Sequence, residues 1–568
     1  MAGIRAPGLR RGDRPGSGDG LSRKRIRLLL LLFVFSLYML TTRGTFLGNP
    51  DHVFMFGVTE SLFRSGSWAV SPAIEQLQPS VNGFPHLRGA DGRLYFPKGM
   101  SYSLLLVPFY AVGHAATLVL PVAGPARHAA VTMLAASAAG PLLGALECLL
   151  IFEIAAAAGF ALRAAALAAT TSAVATILWP SSRENGVESL HGLLITATFL
   201  FLIRMSREPR PRWAALMGCS LGALLLSQPG MVAFVVVPAT IYVVVAGGRR
   251  FRADRAQAIP VLAAYAIPLV AAIALLGWVN HIRYGSAFLT GYEWSAGGDR
   301  WVPLYVGVYG LLFSAGKSLF LYSPPLLLSA IGARTFLRQA GPVGTFPVCL
   351  LAVFVAAYGV LAYWSGDGAW GPRYLIPLTG SLAALMAGWF EDVTAGRTGR
   401  WMQRFGLAVI VAGVVIQCIG VATSTAAYFD LLIRAGVIEP PPGGPRWAPV
   451  VFDPEFSPVA GRARLLLSSA HRIVLGTSLS WRIRDAKGTL RDVPLGEHDA
   501  LDLWPTYVPL PGAVWMGLAL LGCAVVATSG AGLSRLLARG RRPGGDMAGG
   551  PSTRVESARA PGDGRLRE

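Results

Sequence analysis

The chain has 568 residues, of which 53% are hydrophobic and only 14% charged, and its formal net charge is +20. Soluble globular proteins carry about 25% charged residues. Here the apolar residues come in blocks of roughly 20, the length that crosses the hydrocarbon core of a bilayer. In lipid such a block has to be a helix, because no water is present to satisfy an open backbone. The composition therefore excludes a soluble globular protein and predicts an all-α polytopic membrane protein.

Much of the positive charge lies in the two tails of the chain. Residues 1–27 carry eight Arg or Lys against two Asp, and residues 535–568 carry eight Arg against four acids. Both tails are rich in Gly, Pro and Arg, so we expect them to be disordered. Nucleic-acid binding is one interpretation of this charge. The positive-inside bias of membrane proteins explains it without a nucleic-acid partner, and we adopt that interpretation.

The first apolar block runs from Ile26 to Leu40 and follows a basic cluster at residues 23–27. Thr41-Thr42 comes next, and the sequence there has no small-x-small cleavage motif. This pattern predicts a retained signal anchor rather than a removed signal peptide. We therefore expect a multi-pass protein of the cell membrane with a cytoplasmic N-terminus.

Arginine clusters at residues 204–212, 249–255 and 397–404 indicate cytoplasmic loops. Downstream of residue 204 the apolar blocks fit these clusters. Upstream, four blocks lie near residues 101–120, 129–157, 162–180 and 186–204, and four full crossings would put the first cluster outside. Either one block is partial or the bias fails once, so we predict 11 to 13 spans. The predicted parts are a transmembrane core at 28–430 with a large first outward loop at 43–100, an outward segment at 431–510 with a small β-hairpin, and a last transmembrane helix at 511–534.

The first outward loop opens with a helix-start pattern, Asn49-Pro50-Asp51. Apolar residues at i, i+4 spacing follow, which predicts an amphipathic helix on the membrane surface. Asp51 and Glu60 are nine residues apart and would lie on opposite faces of that helix. Each is either a polar residue without further role or a catalytic carboxylate, and a single carboxylate acting alone is the simpler hypothesis.

Cations and aromatic residues recur at the same predicted water interface. Lys98 ends the first outward loop and either binds a lipid phosphate or is an ordinary snorkelling anchor. Arg283, Lys317 and Arg373 are further candidates for binding a phosphate, although an aromatic belt with snorkelling cations has the same composition. Arg373 is hardest to explain as a belt residue, because positive-inside logic gives no reason for a cation there. The aromatic residues predicted to line a substrate pocket are Tyr95, Tyr292, Trp370 and Tyr374.

These residues together resemble the GT-C superfamily of lipid-carrier-dependent glycosyltransferases. The chain is most similar to the family-39-like branch, which is related to protein O-mannosyltransferases and the aminoarabinose transferase. The matching stretches are Asn49-Pro50-Asp51, Tyr95-Phe96-Pro97-Lys98-Gly99, Trp370-Gly371-Pro372-Arg373-Tyr374, residues 280–292 and residues 311–325. They span most of residues 28–430. One departure is Lys98-Gly99-Met100, where relatives often have Lys-Pro-Pro.

The resemblance implies a GT-C-like fold and a hexosyl or pentosyl transferase that uses a polyprenyl-phosphate sugar donor. It also implies a catalytic carboxylate at Asp51, with Glu60 matching less well, and a carrier-phosphate ligand at Lys98. Some relatives use a divalent metal and others do not, so the resemblance leaves a divalent metal open and we assign no metal ligand. The acceptor is an unknown glycan, lipid or protein, and membrane lipid is the surrounding partner. The alternative function is a transporter or flippase, which would place polar groups at mid-bilayer on broken helices.

Overall fold

The computed structural model describes residues 17–77, 87–119, 124–253, 255–291, 301–366, 368–438, 448–485, 488–495, 501–507 and 512–539. These residues are mostly helical. The first nine helices are α1 (Ser17–Leu40), α2 (Pro50–Ser65), α3 (Pro72–Leu77), α4 (Met100–Val119), α5 (Pro125–Ala136), α6 (Ala139–Ala158), α7 (Leu162–Ala175), α8 (Leu178–Arg183) and α9 (Val187–Arg207). The next nine are α10 (Pro211–Ser227), α11 (Val237–Ala253), α12 (Arg255–Tyr284), α13 (Leu304–Phe313), α14 (Leu319–Tyr322), α15 (Leu326–Ala340), α16 (Phe346–Gly359), α17 (Thr379–Ala383) and α18 (Met386–Thr394). The C-terminal elements are α19 (Arg400–Ala422), α20 (Thr425–Arg434), α21 (Ala448–Phe452), α22 (Pro458–Leu475), β1 (Ser480–Arg484), β2 (Leu490–Pro494), α23 (Trp504–Tyr507) and α24 (Gly512–Arg539).

Seven helical stretches within the described ranges are long and apolar enough to cross a membrane. They are Met100–Val119, Pro125–Ala158, Val187–Arg207, Ala258–Tyr284, Leu326–Gly359, Arg400–Ala422 and Gly512–Ala538. Shorter apolar helices include Leu162–Ala175 and Leu304–Phe313. The prediction of an all-α polytopic membrane protein is confirmed, and the expected 11 to 13 spans stay a prediction.

The first and last helices pack side by side in opposite directions. Gly522 of α24 lies against Leu40 at the end of α1, and Gly532 lies against Leu29, nearer its beginning. Glycines at these positions let the two helix backbones approach closely. Helix α24 therefore ends at the face of the bundle where α1 begins, as predicted. We call this the Arg23 face, and the face where α1 ends the Leu40 face.

Both helices extend into stretches that were predicted to be disordered. Helix α1 begins at Ser17, and α24 continues to Arg539. The disorder prediction is wrong for these two helical ends, because each tail prolongs an apolar helix whose hydrogen bonding continues into the basic residues. The rest of both tails lies outside the described residues.

Upstream of residue 204, the order of the helices agrees with the position of the first arginine cluster because α4 and α5 form a hairpin. Helix α4 starts at the Leu40 face and packs against α5 around Gly113 and Thr132. Near the end of α5, Met133 lies 3.7 Å from the Thr45 hydroxyl, just beyond α1. The hairpin thus starts and finishes at the Leu40 face, and α6, α7 and α9 then supply three passages. The block predicted near 129–157 consists of two helices, α5 and α6, and the first arginine cluster lies at the Arg23 face, where α1 begins.

Helix α2 is present where it was predicted, but most of its surface is buried. Residues 52–59 are all buried. Their apolar side chains form one cluster with residues of α4, α5 and the loop around Phe96. The helix therefore packs into the protein, whereas the amphipathic pattern predicted one face open to water.

The C-terminal outward segment has its own small apolar core. Tyr428 and Leu432 of α20 pack with Leu465 of α22 and Trp481 of β1. The predicted hairpin is present, with β1 and β2 antiparallel and Trp481 opposite Val493. Because α20 belongs to this core, the segment begins near Thr425, and the predicted boundary at 430/431 cuts through a helix.

Candidate active site

Asp51 lies in the first turn of α2, and the local sequence explains why. The Asn49 side chain caps the helix by accepting a hydrogen bond from the Asp51 N–H at 3.0 Å. Pro50 occupies the first helical position, where its missing N–H costs nothing. The carboxylate is thereby held at the positive end of the helix dipole, at the Leu40 face.

Lys98 reaches Asp51 from the residues just before α4. Its amine lies 3.3 Å and 3.4 Å from the two carboxylate oxygens. Gly99 adopts φ +72°, and its N–H donates to the Ser227 carbonyl at 2.9 Å. Proline allows neither, since it fixes φ near −65° and has no N–H. The departure from Lys-Pro-Pro is therefore a requirement of this backbone, and Lys98 still lies beside Asp51.

Arg373 begins a 3₁₀ helix at Arg373–Leu378 and joins two carboxylates. One terminal nitrogen donates to Asp51 Oδ2 at 2.9 Å, and its Nε donates to Glu188 Oε1. Glu188 lies in the first turn of α9. Glu188 was not among the predicted site residues, because the sequence left open on which side of the membrane the start of α9 lies.

Glu188 and His52 crowd around Gly186, which caps α9. A side-chain carbon at this position would lie 2.4 Å from Glu188 Oε2 and 3.1 Å from His52 Nε2. Glycine leaves room for both groups. Gly186, in the break between the apolar blocks of α7 and α9, thus allows Glu188 and His52 to pack closely at the site.

One cavity of about 440 Å³ brings these groups together. Asp51, Lys98, Glu188 and Arg373 all line it. The side chains of Asp51 and Arg373 are 19% and 21% exposed, and that of Lys98 is 42% exposed. Three residues far apart in the sequence, Asp51, Lys98 and Arg373, therefore meet around one opening.

The electrostatics of the cavity keep Asp51 ionised. Burial raises the pKa of its carboxyl group, but the positive charges of Lys98 and Arg373 outweigh burial and hold the pKa at about 2. Burial lowers the pKa of the Arg373 guanidinium, yet Glu188 and Asp51 raise it further than burial lowers it. Burial also lowers the pKa of the His52 imidazole to about 4, so this ring is neutral at pH 7.

Two of the four predicted aromatic residues line the cavity, namely Trp370 and Tyr374. Tyr374 is stacked on Tyr358 with ring centroids 4.3 Å apart. The Arg462 guanidinium lies 4.3 Å from the centre of the Trp370 ring and donates to the Gly420 carbonyl at 2.6 Å. The outward segment therefore fixes the Trp370 wall of the cavity.

The other predicted site residues lie away from the cavity or outside the described residues. Glu60 binds Arg64 at 3.0 Å, Ser71 at 2.8 Å and Tyr110 at 3.1 Å on the far side of α2. The sequence predicted that Glu60 and Asp51 lie on opposite faces of one helix, and this arrangement keeps Glu60 out of the cavity.

Arg283, Lys317 and Tyr95 are buried and do not line the cavity. The Arg283 guanidinium lies over the Trp68 ring at 5.4 Å. The Lys317 amine donates to the Ala369 carbonyl at 2.7 Å, and the Tyr95 hydroxyl donates to Asp91 at 2.8 Å. These side chains turn toward protein groups, so the structure does not bring them to Asp51; Tyr292 lies outside the described residues.

A second polar cluster connects the outward segment to the membrane core beside the cavity. The Asp502 carboxylate accepts from Arg43 at 3.0 Å and from the fully buried Arg183. Arg43 also lines the cavity. Burial raises the pKa of the Asp502 carboxyl, but the charges of Arg183 and Arg43 outweigh burial and lower it overall.

Among the side chains that the structure describes, His, Cys, Asp and Glu form no group of three or more that could hold a metal ion.

No protein-family model and no curated protein sequence matches the chain. The chain is similar to two crystal structures of ArnT from Cupriavidus metallidurans, one in the apo state and one bound to undecaprenyl phosphate. Identity is 14% with a TM-score of 0.47 for the apo structure, and 13% with a TM-score of 0.44 for the bound one. Each comparison covers 92% of this chain and 78% of the other. The candidate site rests on its own geometry.

Proposed function

We propose that this protein is a GT-C-like glycosyltransferase that moves a sugar from a polyprenyl-phosphate carrier to an acceptor hydroxyl at the outer membrane face. The observation that carries the proposal is the contact of Asp51 with both Lys98 and Arg373 in one cavity at the Leu40 face. A carboxylate and two cations are the groups that such a transfer needs. The motif resemblance of the sequence points to the same reaction.

The two cations suit the departing phosphate of the carrier. Arg373 presents a planar guanidinium, which matches a phosphate through paired hydrogen bonds, and Lys98 adds a point charge. Stabilising the negative charge that develops on a leaving group is usually the largest single catalytic contribution. We infer that Lys98 and Arg373 bind the carrier phosphate and neutralise it as the bond to the sugar breaks.

Asp51 is the proposed general base. With both cations bound to it, its pKa of about 2 makes it a weak base. A donor phosphate that takes over those cations would weaken both contacts and raise the pKa of the Asp51 carboxyl. We infer that donor binding prepares Asp51 to accept the proton of the acceptor hydroxyl.

The reaction proposed is a single displacement at the sugar. The acceptor oxygen forms a bond to the anomeric carbon, its proton goes to Asp51, and the bond to the carrier phosphate breaks with the electron pair left on phosphate. One base and one leaving group imply inversion at the anomeric carbon. Trp370 and Tyr374 offer aromatic surfaces to the sugar or to the isoprenoid chain.

The position of the cavity supports a transferase over a transporter. Its charged groups lie at the ends of helices at the Leu40 face, before α4 and in the first turns of α2 and α9. A transporter of a lipid-linked substrate would place them midway along broken spans. We propose that the Leu40 face is the outer face of the cell membrane and that the N-terminus is cytoplasmic.

The test is a transfer assay in membranes that contain the full chain and a panel of labelled polyprenyl-phosphate sugars. We expect transfer by the wild type with at least one donor and a loss of about 100-fold or more in Asp51→Asn, which removes the base. The matched control is Asp91→Asn, an exposed carboxylate of the same loop. Full transfer by Asp51→Asn would remove Asp51 as the base, and no transfer by the wild type with any donor would favour a transporter.

A further inference from the structure

A second cavity, of about 290 Å³, lies at the Arg23 face, opposite the candidate active site. Four arginines line it together with Ala156 and Trp213; they are Arg23, Arg204, Arg207 and Arg212. The cavity is formed where α1 and α10 begin and where α6 and α9 end. It shares no lining residue with the Asp51 cavity.

The positive charge of this cavity is only partly balanced within the described residues. A single carboxylate, Glu153, is shared by Arg23 at 2.8 Å, Arg27 at 2.6 Å and Arg204 at 3.5 Å. Glu208 also lines the cavity, but it is paired with Arg210. One negative charge thus serves three guanidinium groups, and the cluster is suited to a further anion.

Two lining arginines have donors to offer. In the part of the chain that the structure describes, the buried Arg23 Nε has no hydrogen-bond partner and Arg212 has no ion-pair partner. Arg207 differs, because it donates to the Ala158 carbonyl at 2.6 Å and caps the end of α6. The cavity therefore combines arginines that serve the fold with arginines whose donors remain available.

Trp213 gives the cavity an apolar wall at one side. The Arg212 and Arg204 guanidinium groups lie 4.4 Å and 5.4 Å from the centre of its ring. Tryptophan is enriched at the headgroup level of membranes, where one edge meets apolar chains and the other meets water. Arginines beside it at the end of a membrane bundle match the basic pockets that bind lipid headgroups between helices.

Positive-inside charge alone does not produce this arrangement. The Arg404 guanidinium lies 5.5 Å from the Trp401 ring at the start of α19. Trp401 is 82% exposed, and neither residue lines the cavity. The other end of α19 lies at the Leu40 face, where Arg183 binds the Val421 carbonyl. The Arg404–Trp401 pair is therefore an arginine–tryptophan contact at the same face without a concave site.

We propose that the cavity at the Arg23 face binds the phosphate-ester headgroup of an anionic membrane lipid. This inference is independent of the proposed transferase activity. Inorganic phosphate has the same chemistry at the binding atoms, so the experiment has to separate the two sources. A bound headgroup would bridge three helices, α1, α9 and α10, through Arg23, Arg204 and Arg212.

The experiment counts lipids retained by the purified full chain in neutral detergent, using native mass spectrometry. Phosphatidylglycerol is titrated against phosphatidylcholine, and inorganic phosphate is then added as a competitor. We expect tighter binding of phosphatidylglycerol, weakened about tenfold or more in the double variant Arg204→Gln/Arg212→Gln, which loses two charge-assisted contacts. Displacement of the lipid by millimolar phosphate in the wild type, but not in the double variant, would also support the site and would identify free phosphate as a second ligand of the cavity.

The matched control is the double variant Arg400→Gln/Arg404→Gln, which removes the same charge from the same face. A second variant, Ala156→Phe, fills the cavity and keeps every arginine, so it answers the question even if the Arg204 variant fails to fold. We expect less than about twofold weakening in the control and at least about tenfold in Ala156→Phe. Equal weakening in both double variants, or unchanged binding in Ala156→Phe, would overturn the proposal.

Discussion

Replacing Asp51 by Asn is expected to separate donor binding from transfer. In the structure this carboxylate binds Lys98 and Arg373, the two cations that are proposed to bind the carrier phosphate. It is therefore a competitor of the donor as well as the proposed base. The substitution removes the competitor and the base together, so affinity and rate should change in opposite directions.

The size of the effect on affinity follows from the pKa of Asp51. The pKa falls from 3.8 to about 2 even though burial opposes the fall, which corresponds to about 2 kcal/mol of net attraction by the two cations. Lys98 is 42% exposed, and solvent screening reduces its share. We expect polyprenyl phosphate to bind about three- to tenfold more tightly to Asp51→Asn.

The assay is equilibrium binding of labelled polyprenyl phosphate to the full chain in detergent, at fixed ionic strength because salt screens such contacts. Asp91→Asn is again the control, since its carboxylate binds Tyr95 and lies outside the cavity. Glu188 still pairs with Arg373 in the variant, so the fold of the site should persist. Weaker binding of polyprenyl phosphate to Asp51→Asn than to the wild type would refute the competition argument.

Three further predictions concern stability. Gly99→Pro removes a backbone hydrogen bond and cannot adopt the φ of +72° found at this position. The thermal midpoint should fall by an amount equivalent to about 2–3 kcal/mol. The control is Gly230→Ala, which should leave the midpoint unchanged because open space surrounds Gly230. Burial lowers the pKa of the His52 imidazole to about 4, so below about pH 6.5 the unfolded chain binds a proton that the folded chain does not. The thermal midpoint should therefore decrease as the pH is lowered from about 6.5 to about 4, and this decrease should be smaller in His52→Asn. Asp502→Asn removes the carboxylate that pairs with the buried Arg183 and the partly buried Arg43. This loss costs about 3–5 kcal/mol and should expose residues 448–495 to limited proteolysis, unlike Asp492→Asn at an exposed pair.

Short-range features were predictable because consecutive residues determine them. The start of α2 follows from the side chain of Asn49 and the fixed φ of Pro50, and both act within one helical turn. The β-hairpin follows from partial alternation in residues 478–483 and from Gly488 between the two strands. In both cases the decisive hydrogen bonds join residues that are near neighbours in the chain.

The membrane topology upstream of residue 204 depended on a break that has no strong local signal. Helices α5 and α6 are separated only at Ser137 and Ala138, inside an alanine-rich apolar run. Hydropathy averages over such a break. Without it Glu188 could not be placed on the side of Asp51, although its position in the first turn of α9 is readable from the sequence.

The orientation of a buried Lys or Arg side chain depends on tertiary contacts, which cannot be predicted from the local sequence. Arg283 and Lys317 have the same apparent setting as Arg373, in outward loops with aromatic neighbours. In the structure Arg283 turns onto Trp68, and Lys317 turns to the carbonyl of Ala369. Arg373 meets two carboxylates, Asp51 and Glu188, and their positions are set by α2 and α9.

The unequal attachment of the two cations implies an order of events in the candidate site. Arg373 is fixed by two carboxylates, whereas Lys98 has one ion-pair partner among the described residues, at 3.3 Å, and is 42% exposed. An exposed ion pair contributes at most about 1 kcal/mol, so Lys98 can leave Asp51 at little cost. We infer that an incoming phosphate recruits Lys98 first, while Glu188 keeps Arg373 in place to receive it. Glu188 would then act as a positioning residue, since it holds Arg373 while the contact with Asp51 is exchanged for one with the donor.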